Sequence, residues 1–211
     1  MTKRSFAFSV LGLLTIALSL LVPTNARSVA QAQEPDGASV AQTANNFFDH
    51  FPLTLVFDVA TDARTFRINR GAPLPDAKRG DSFIVEGKIY PAGTLPVGGT
   101  LLSPGPFNPD TTPGSIGKWV MRGTFNADFA EIMGGAEPAV FGAQYFLFND
   151  GRSLISDGPH AGSRPQLRVL TGGGGAFSGA SGDVREELLG TNITGLFNQR
   201  FTFKIKRQSI R

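Results

Sequence analysis

Few side chains in this sequence can do chemistry, and their types narrow the options quickly. There is no cysteine, which excludes disulfides, thiolate metal sites and a cysteine nucleophile. The two histidines, His50 and His160, have no partner at the spacing of a triad or a metal site and read as structural or exposed. No metal and no cofactor are expected. Glu186 shares a strand phase with Val184 and Leu188, which points it into an apolar space as an interior acid; the competing reading leaves it beside Glu187 at an exposed strand end. Tyr145 shares a face with Phe141, Ala143 and Leu147, either offering its hydroxyl to a ligand or serving as a core tyrosine. Trp119, in phase with Met121 and Phe125, reads as a cavity wall or as plain core. Asn192-Ile193-Thr194 has the form of a glycosylation sequon. The run Gly172 to Gly175 is not a phosphate cradle, because Ala176-Phe177 and a strand follow it instead of Lys-Ser/Thr and a helix.

The elements that must position these residues are short strands. Gly 26, Pro 14 and Phe 18 against Tyr 2 and Trp 1, in 211 residues, suit tight turns around a phenylalanine core. Strand-like runs fall at 53–61, 82–90, 117–126, 139–149, 152–157, 165–171, 181–190 and 197–207, separated by turn clusters. Two long loops intervene, an arginine-rich one at 62–80 and a proline-rich one at 91–116. Alternation is clean in Phe201-Thr202-Phe203-Lys204-Ile205-Lys206, whereas the run from Val140 to Phe148 is apolar in both phases and predicts a strand covered on both sides, commonly by another subunit. Eight antiparallel strands in this length favour an all-β, closed up-and-down barrel, which abolishes sheet edges.

The chain ends are of a different character. Lys3 and Arg4 precede an apolar run from Phe6 to Val22, and Ala30-Gln31-Ala32 follows as a small-x-small site. That order predicts a secretory signal peptide over 1–32, with cleavage near Gln33 and no membrane span thereafter; an uncleaved anchor is the alternative. The protein is expected to be secreted or periplasmic. Residues 33–50 read as a flexible segment and 51–211 as the barrel domain. Residues 1–32 carry three of the 20 basic residues and no acid, leaving 17 basic against 17 acidic in the exported chain. A near-neutral chain speaks against nucleic acid as a partner.

One stretch resembles a known family. Leu170-Thr171-Gly172-Gly173-Gly174-Gly175-Ala176-Phe177-Ser178-Gly179-Ala180-Ser181-Gly182-Asp183-Val184 is similar to the glycine hairpin of plant allene oxide cyclases and the related dirigent proteins. Gly80-Asp81 with Lys88-Ile89-Tyr90, Phe146-Leu147-Phe148-Asn149-Asp150 with Gly158-Pro159, and Phe197 to Lys206 fall in the family's order, so the likeness spans roughly 53–207. The resemblance implies an eight-stranded barrel, usually a homotrimer, with an apolar central cavity. It also places Asp58, in Leu55-Val56-Phe57-Asp58-Val59, where the cyclases carry an interior first-strand glutamate, and so implies an acid or base role for it. The same phase turns Thr54, Val56 and Ala60 inward. Gly87 stands where the cyclases hold a water with asparagine, and their Ser-Pro pair has no counterpart near Arg64-Thr65-Phe66-Arg67. In the hairpin, Gly173 or Gly174 is expected at positive φ, with Phe177 folding back as a plug.

Together these residues predict a secreted barrel that binds a hydrophobic small molecule and steers its cyclisation, isomerisation or stereochemistry. Asp58 would be its catalytic residue, and Trp119, Tyr145 and Glu186 would line the binding site. If it is an enzyme, it is an isomerase or cyclase of the intramolecular lyase type. A non-catalytic carrier of an apolar ligand and an extracytoplasmic structural or interaction barrel are the alternatives.

Overall fold

The computed structural model describes residues 53–160 and 165–207. Residues 1–52, which include the predicted signal peptide, the segment 33–50 and His50, together with residues 161–164 and 208–211, lie outside the described residues. Eight strands follow one another: β1 (Leu53–Ile68), β2 (Ser82–Pro91), β3 (Gly117–Phe125), β4 (Val140–Phe148), β5 (Ser153–His160), β6 (Gln166–Gly174), β7 (Ala180–Thr191) and β8 (Phe197–Arg207). Each pairs antiparallel with the next, and β1 pairs with β8, so the sheet is a closed up-and-down barrel, as the spacing of strands and turns predicts.

Two strands outrun their sequence signal. β1 continues to Ile68 through a bulge between Asp62 and Arg67, where the arginine-rich composition predicts a loop. The Thr65 hydroxyl stitches that bulge, accepting from the Glu86 N–H at 2.9 Å and donating to the Asp62 carbonyl at 2.7 Å. β5 runs through Gly158-Pro159 to His160, which places His160 in the inward phase with Leu154 and Ser156. A short helix, α1 (Phe129–Met133), sits at the rim; five residues are too few to show a helical period.

The first strand has the opposite phase to the one implied by the resemblance. Phe57 and Val59 enter the interior core with Phe201, Phe203 and Ile205, while Asp58 and Ala60 face outward. Both faces are buried because the proline-rich segment 92–116 climbs the outer wall and packs Leu95 and Phe107 over Ala60 and Tyr90. Its stem is held by glycine. A Cβ on Gly190 would lie 1.8 Å from the Gly98 carbonyl oxygen, and one on Gly105 2.5 Å from that of Thr191. Leu101 and Leu102, in the turn closed by paired hydrogen bonds between Thr100 and Ser103, reach the barrel mouth.

In the glycine hairpin, positive φ falls on Gly175 (62°), not on Gly173 or Gly174. Gly173 is constrained by space instead: a Cβ there would meet the Phe177 and Ser153 carbonyl oxygens at 2.6 and 2.7 Å. Phe177 does fold back and is buried.

The interior has three tiers. At one end Phe57, Phe146, Phe201 and Phe203 pack with ring centroids 5.0–6.2 Å apart, edge-to-face and stacked contacts worth about 0.5–1.5 kcal/mol per pair beyond their burial. A polar belt crosses the middle. An apolar cavity opens at the other end, beside α1.

Candidate functional site

The belt is built by alternation on four adjacent strands and β8. Gln144 on β4 and Ser156 on β5 are register partners, His160 follows on β5, Arg168 comes from β6, Glu186 from β7 and Gln199 from β8. All six are buried. Glu186 is the hub. Its Oε1 receives His160 Nδ1 at 2.6 Å and the Gln199 amide at 2.6 Å; its Oε2 receives the Gln144 amide at 3.0 Å, with Arg168 Nε 3.9 Å away. Gln144 Oε1 accepts from the Ser156 hydroxyl at 3.0 Å. Arg168 is anchored by donating to the carbonyls of Gly142, Gly158 and Pro159.

Burial alone pushes the Glu186 carboxyl up, but the charge and hydrogen bond of His160, the Arg168 guanidinium and the Gln144 amide outweigh it and hold the group below the usual range. Burial draws the Arg168 guanidinium down against the opposing pull of Glu186 and Asp157. With Nδ1 of His160 held by the Glu186 carboxylate, Nε2 is the ring nitrogen on the side away from it.

The cavity beyond has a volume of about 350 Å³. Its walls are apolar: Phe83, Phe125, Val140 and Phe197 on the strands, with Ile132 and Met133 of α1 and Leu101 and Leu102 of the outer segment at the mouth. Its polar surface is His160, Gln199 and Thr61 with the indole of Trp119. Such a space holds a mostly hydrophobic molecule and offers it one imidazole backed by a buried carboxylate. Among the described residues, no three His, Cys, Asp or Glu side chains converge to hold a metal ion.

Of the residues singled out by sequence, Glu186 and Trp119 lie in the interior, and only Trp119 borders the cavity directly. Tyr145 does not enter it. Gln144 and Phe146 take the inward phase of β4, and Tyr145 stands outside with Arg122 5.4 Å above its ring. Asp58 is likewise outside the barrel although fully buried. It accepts from Arg200 at 2.8 and 3.2 Å and from the Gly93 and Leu95 N–H groups at 2.8 and 3.3 Å, tying the outer segment to the wall. The greasier face of β1 claims the interior, so the acid is turned out. Asn192 is no open glycan acceptor: its amide nitrogen is buried, donating to the Thr61 carbonyl at 2.9 Å.

His160, Arg168, Gln144 and Gln199 are the site residues that sequence reasoning missed. The usable signal was phase: Arg168 alternates with Leu170, and Gln199 with Phe201. For His160 the partner lies 26 residues away across a strand that must first extend past Pro159.

No protein-family model and no curated protein matches the chain. Solved structures do. The pterocarpan synthase dirigent proteins GePTS1 and PsPTS1 superpose with a TM-score of 0.50 each at 13% identity, covering 75% and 76% of this chain and 87% and 99% of theirs. A pyocyanin demethylase superposes at 0.46 with 12% identity, over 72% of this chain and 99% of its own. The likeness is one of fold: the chain shares the closed eight-stranded antiparallel barrel of the two dirigent proteins.

Proposed function

We propose that the protein is an exported barrel that takes a hydrophobic small molecule into the mouth cavity and steers its isomerisation or cyclisation, with His160 moving the proton. The observation that carries this reading is a histidine bordering an apolar cavity while its other ring nitrogen is held 2.6 Å from a buried carboxylate. Glu186 keeps the imidazole in one tautomer and stabilises the imidazolium that forms when Nε2 accepts a proton from an acidic C–H or O–H. Arg168 neutralises the carboxylate, so the belt does not repel the bound molecule. The phenylalanine walls restrict the ligand to few conformers, which is the larger contribution expected of a steering barrel. Self-association through the outer face of β4–β6 completes the proposal.

The test uses 2-tetralone, an apolar bicyclic ketone with an acidic benzylic position, and tetralin, its hydrocarbon analogue. Both are expected to bind one per chain, and Val140→Trp, which fills the cavity, is expected to abolish binding. In D2O the wild type is expected to accelerate deuterium uptake at C1 of the ketone, and His160→Gln to lose that acceleration while still binding. Binding without accelerated exchange would replace the steering role by that of a carrier.

A further inference from the structure

The mouth of the cavity holds apolar side chains out in water. Leu102 is 94% exposed and Met133 53%, yet both border the cavity, as does Leu101. Ile193, 48% exposed, lies in the β7–β8 turn at the same end, just before Leu196 and Phe197 of the cavity wall. The turn that carries the leucine pair is braced, not loose. Thr100 and Ser103 exchange backbone hydrogen bonds at 2.9 and 3.1 Å across it, and the Thr191 hydroxyl donates to the Thr100 carbonyl at 2.9 Å. Beneath it the two arms of the segment touch: Gly99 lies so close to Gly105 that a Cβ would collide with its nitrogen, and the Gly105 N–H donates to the Thr191 carbonyl at 3.2 Å. Exposed apolar side chains clustered around one opening and held by such a frame mark an interaction surface.

We propose that this rim docks on the surface of a neutral lipid bilayer, from which the cavity takes up its ligand directly. The proposal rests on the reading that the cavity binds an apolar molecule. Such a molecule partitions into a bilayer, and a mouth seated there receives it without passage through water. Size separates a bilayer from a protein partner. The leucine pair, Met133 and Ile193 cover far less than the roughly 800 Å² that each partner gives to a stable protein interface. A bilayer needs no matching surface, and each inserted side chain adds its own transfer free energy. Charge points to neutral lipid. Beside the mouth, Lys78 pairs with Asp128, Arg79 with Glu131 and Arg70 with Asp81. Arg67 donates to carbonyl oxygens and stays a free cation, one against the roughly four to eight of a site that recruits anionic headgroups.

The test uses phosphatidylcholine vesicles, with wild type and variants carrying the same termini. The wild type is expected to float with the vesicles, and to do so equally when salt is raised from about 0.1 to about 1 M, which screens charge attraction. Leu102→Asp is expected to lower the vesicle partition coefficient at least about tenfold, and Ile193→Asp to lower it as well. Ile193 is not part of the cavity wall, so Ile193→Asp should still bind tetralin from solution as the wild type does. Val56→Asp, at a 40% exposed position on β1 level with the phenylalanine tier, should float like the wild type. The chain has no cysteine, so a single dye can report position. Nitrobenzoxadiazole on Leu102→Cys or Ile193→Cys should shift to the blue on vesicles and be quenched by doxyl-labelled lipid, whereas on Val56→Cys it should stay in water; only labelled proteins that melt like the wild type are read. A wild type that does not float, flotation that needs anionic lipid or is lost at high salt, or dyes at 102 and 193 that lipid does not quench overturns the inference. So does a changed sedimenting mass of Leu102→Asp without vesicles, which makes the rim a contact between copies. Tetralin binding from solution is measured separately: its failure in the wild type removes the binding reading, whereas failed flotation with tetralin still bound removes the docking alone.

Discussion

Glu186 is the residue on which the interior turns, because three neutral or cationic donors and a guanidinium converge on one buried carboxylate. Removing its charge leaves Arg168 buried without a counter-ion, so Glu186→Gln is expected to destabilise the fold by about 3–5 kcal/mol near neutral pH. The carboxyl is held below its ordinary value of 4.5. Its contribution is therefore complete above that pH, where both states are ionised, and is lost as pH falls through the folded value, because the unfolded chain binds the proton first. Denaturant titrations should show the wild type and Glu186→Gln converging below pH 4.5; a gap that stays constant with pH would show that the carboxylate's ionisation contributes nothing. Phase made this residue legible in the sequence. The resemblance failed at Asp58, where a likeness to another family's interior acid was set against the apolar phase of Phe57 and Val59, and the apolar phase prevailed. His160 was not legible at all, since nothing local marks a histidine whose partner arrives only when the barrel closes.

At the scale of elements, the segment 92–116 decides what the outside of β1 can be. The doubly buried first strand is explained by this segment lying over Ala60 and Tyr90, with Asp58 as its clamp. Each hydrogen bond to the ionised Asp58 is worth about 1.5–3 kcal/mol. Asp58→Ala is therefore expected to lower stability by about 3 kcal/mol or more and to admit protease between residues 92 and 105, while deuterium exchange of bound 2-tetralone per folded molecule is unchanged. Loss of exchange at full foldedness would return Asp58 to the chemistry. The upper stem tests the same element independently. Gly190 sits at φ 146° with the Gly98 oxygen where a Cβ would go. Gly190→Ala should cost about 1–3 kcal/mol in strain and displace the Leu101–Leu102 turn from the mouth. It should weaken tetralin binding, whereas Gly93→Ala, whose Cβ would meet nothing within 4 Å, carries backbone strain alone and should bind tetralin normally. The proline content of this segment was visible in the sequence, but its path along the outer wall was not, because it follows from glycine contacts between residues some 90 apart.

For the whole molecule, strand count, antiparallel order and closure were readable from turn spacing, and the apolar double phase of β4 was readable as well. The structure gives that double phase two different meanings. Inward, Val140 and Phe146 belong to the core. Outward, Phe141 and Leu147 remain 49% and 44% exposed, beside Val169 of β6 at 57% and Leu167 at 68%. Register places Phe141 against Pro159 and Ala143 against Asp157, which in turn meets Val169, so exposed apolar side chains on three strands share one outer face that is interrupted by the Asp157 carboxylate. A face of this kind on a single copy is a surface that water disfavours and another copy can cover. The proposed self-association therefore predicts that purified protein sediments as an oligomer at micromolar concentration, with a trimer being the mass expected from the resemblance. Phe141→Asp and Val169→Asp, placed outside the barrel core, should each yield monomers or aggregates without altering the polar belt. If the oligomer helps hold β4–β6 rigid, those monomers should also melt at lower temperature than the wild type, and tetralin should bind them less tightly. A wild type that sediments as a monomer under these conditions removes the second copy as the cover of this face and leaves the barrel to act alone.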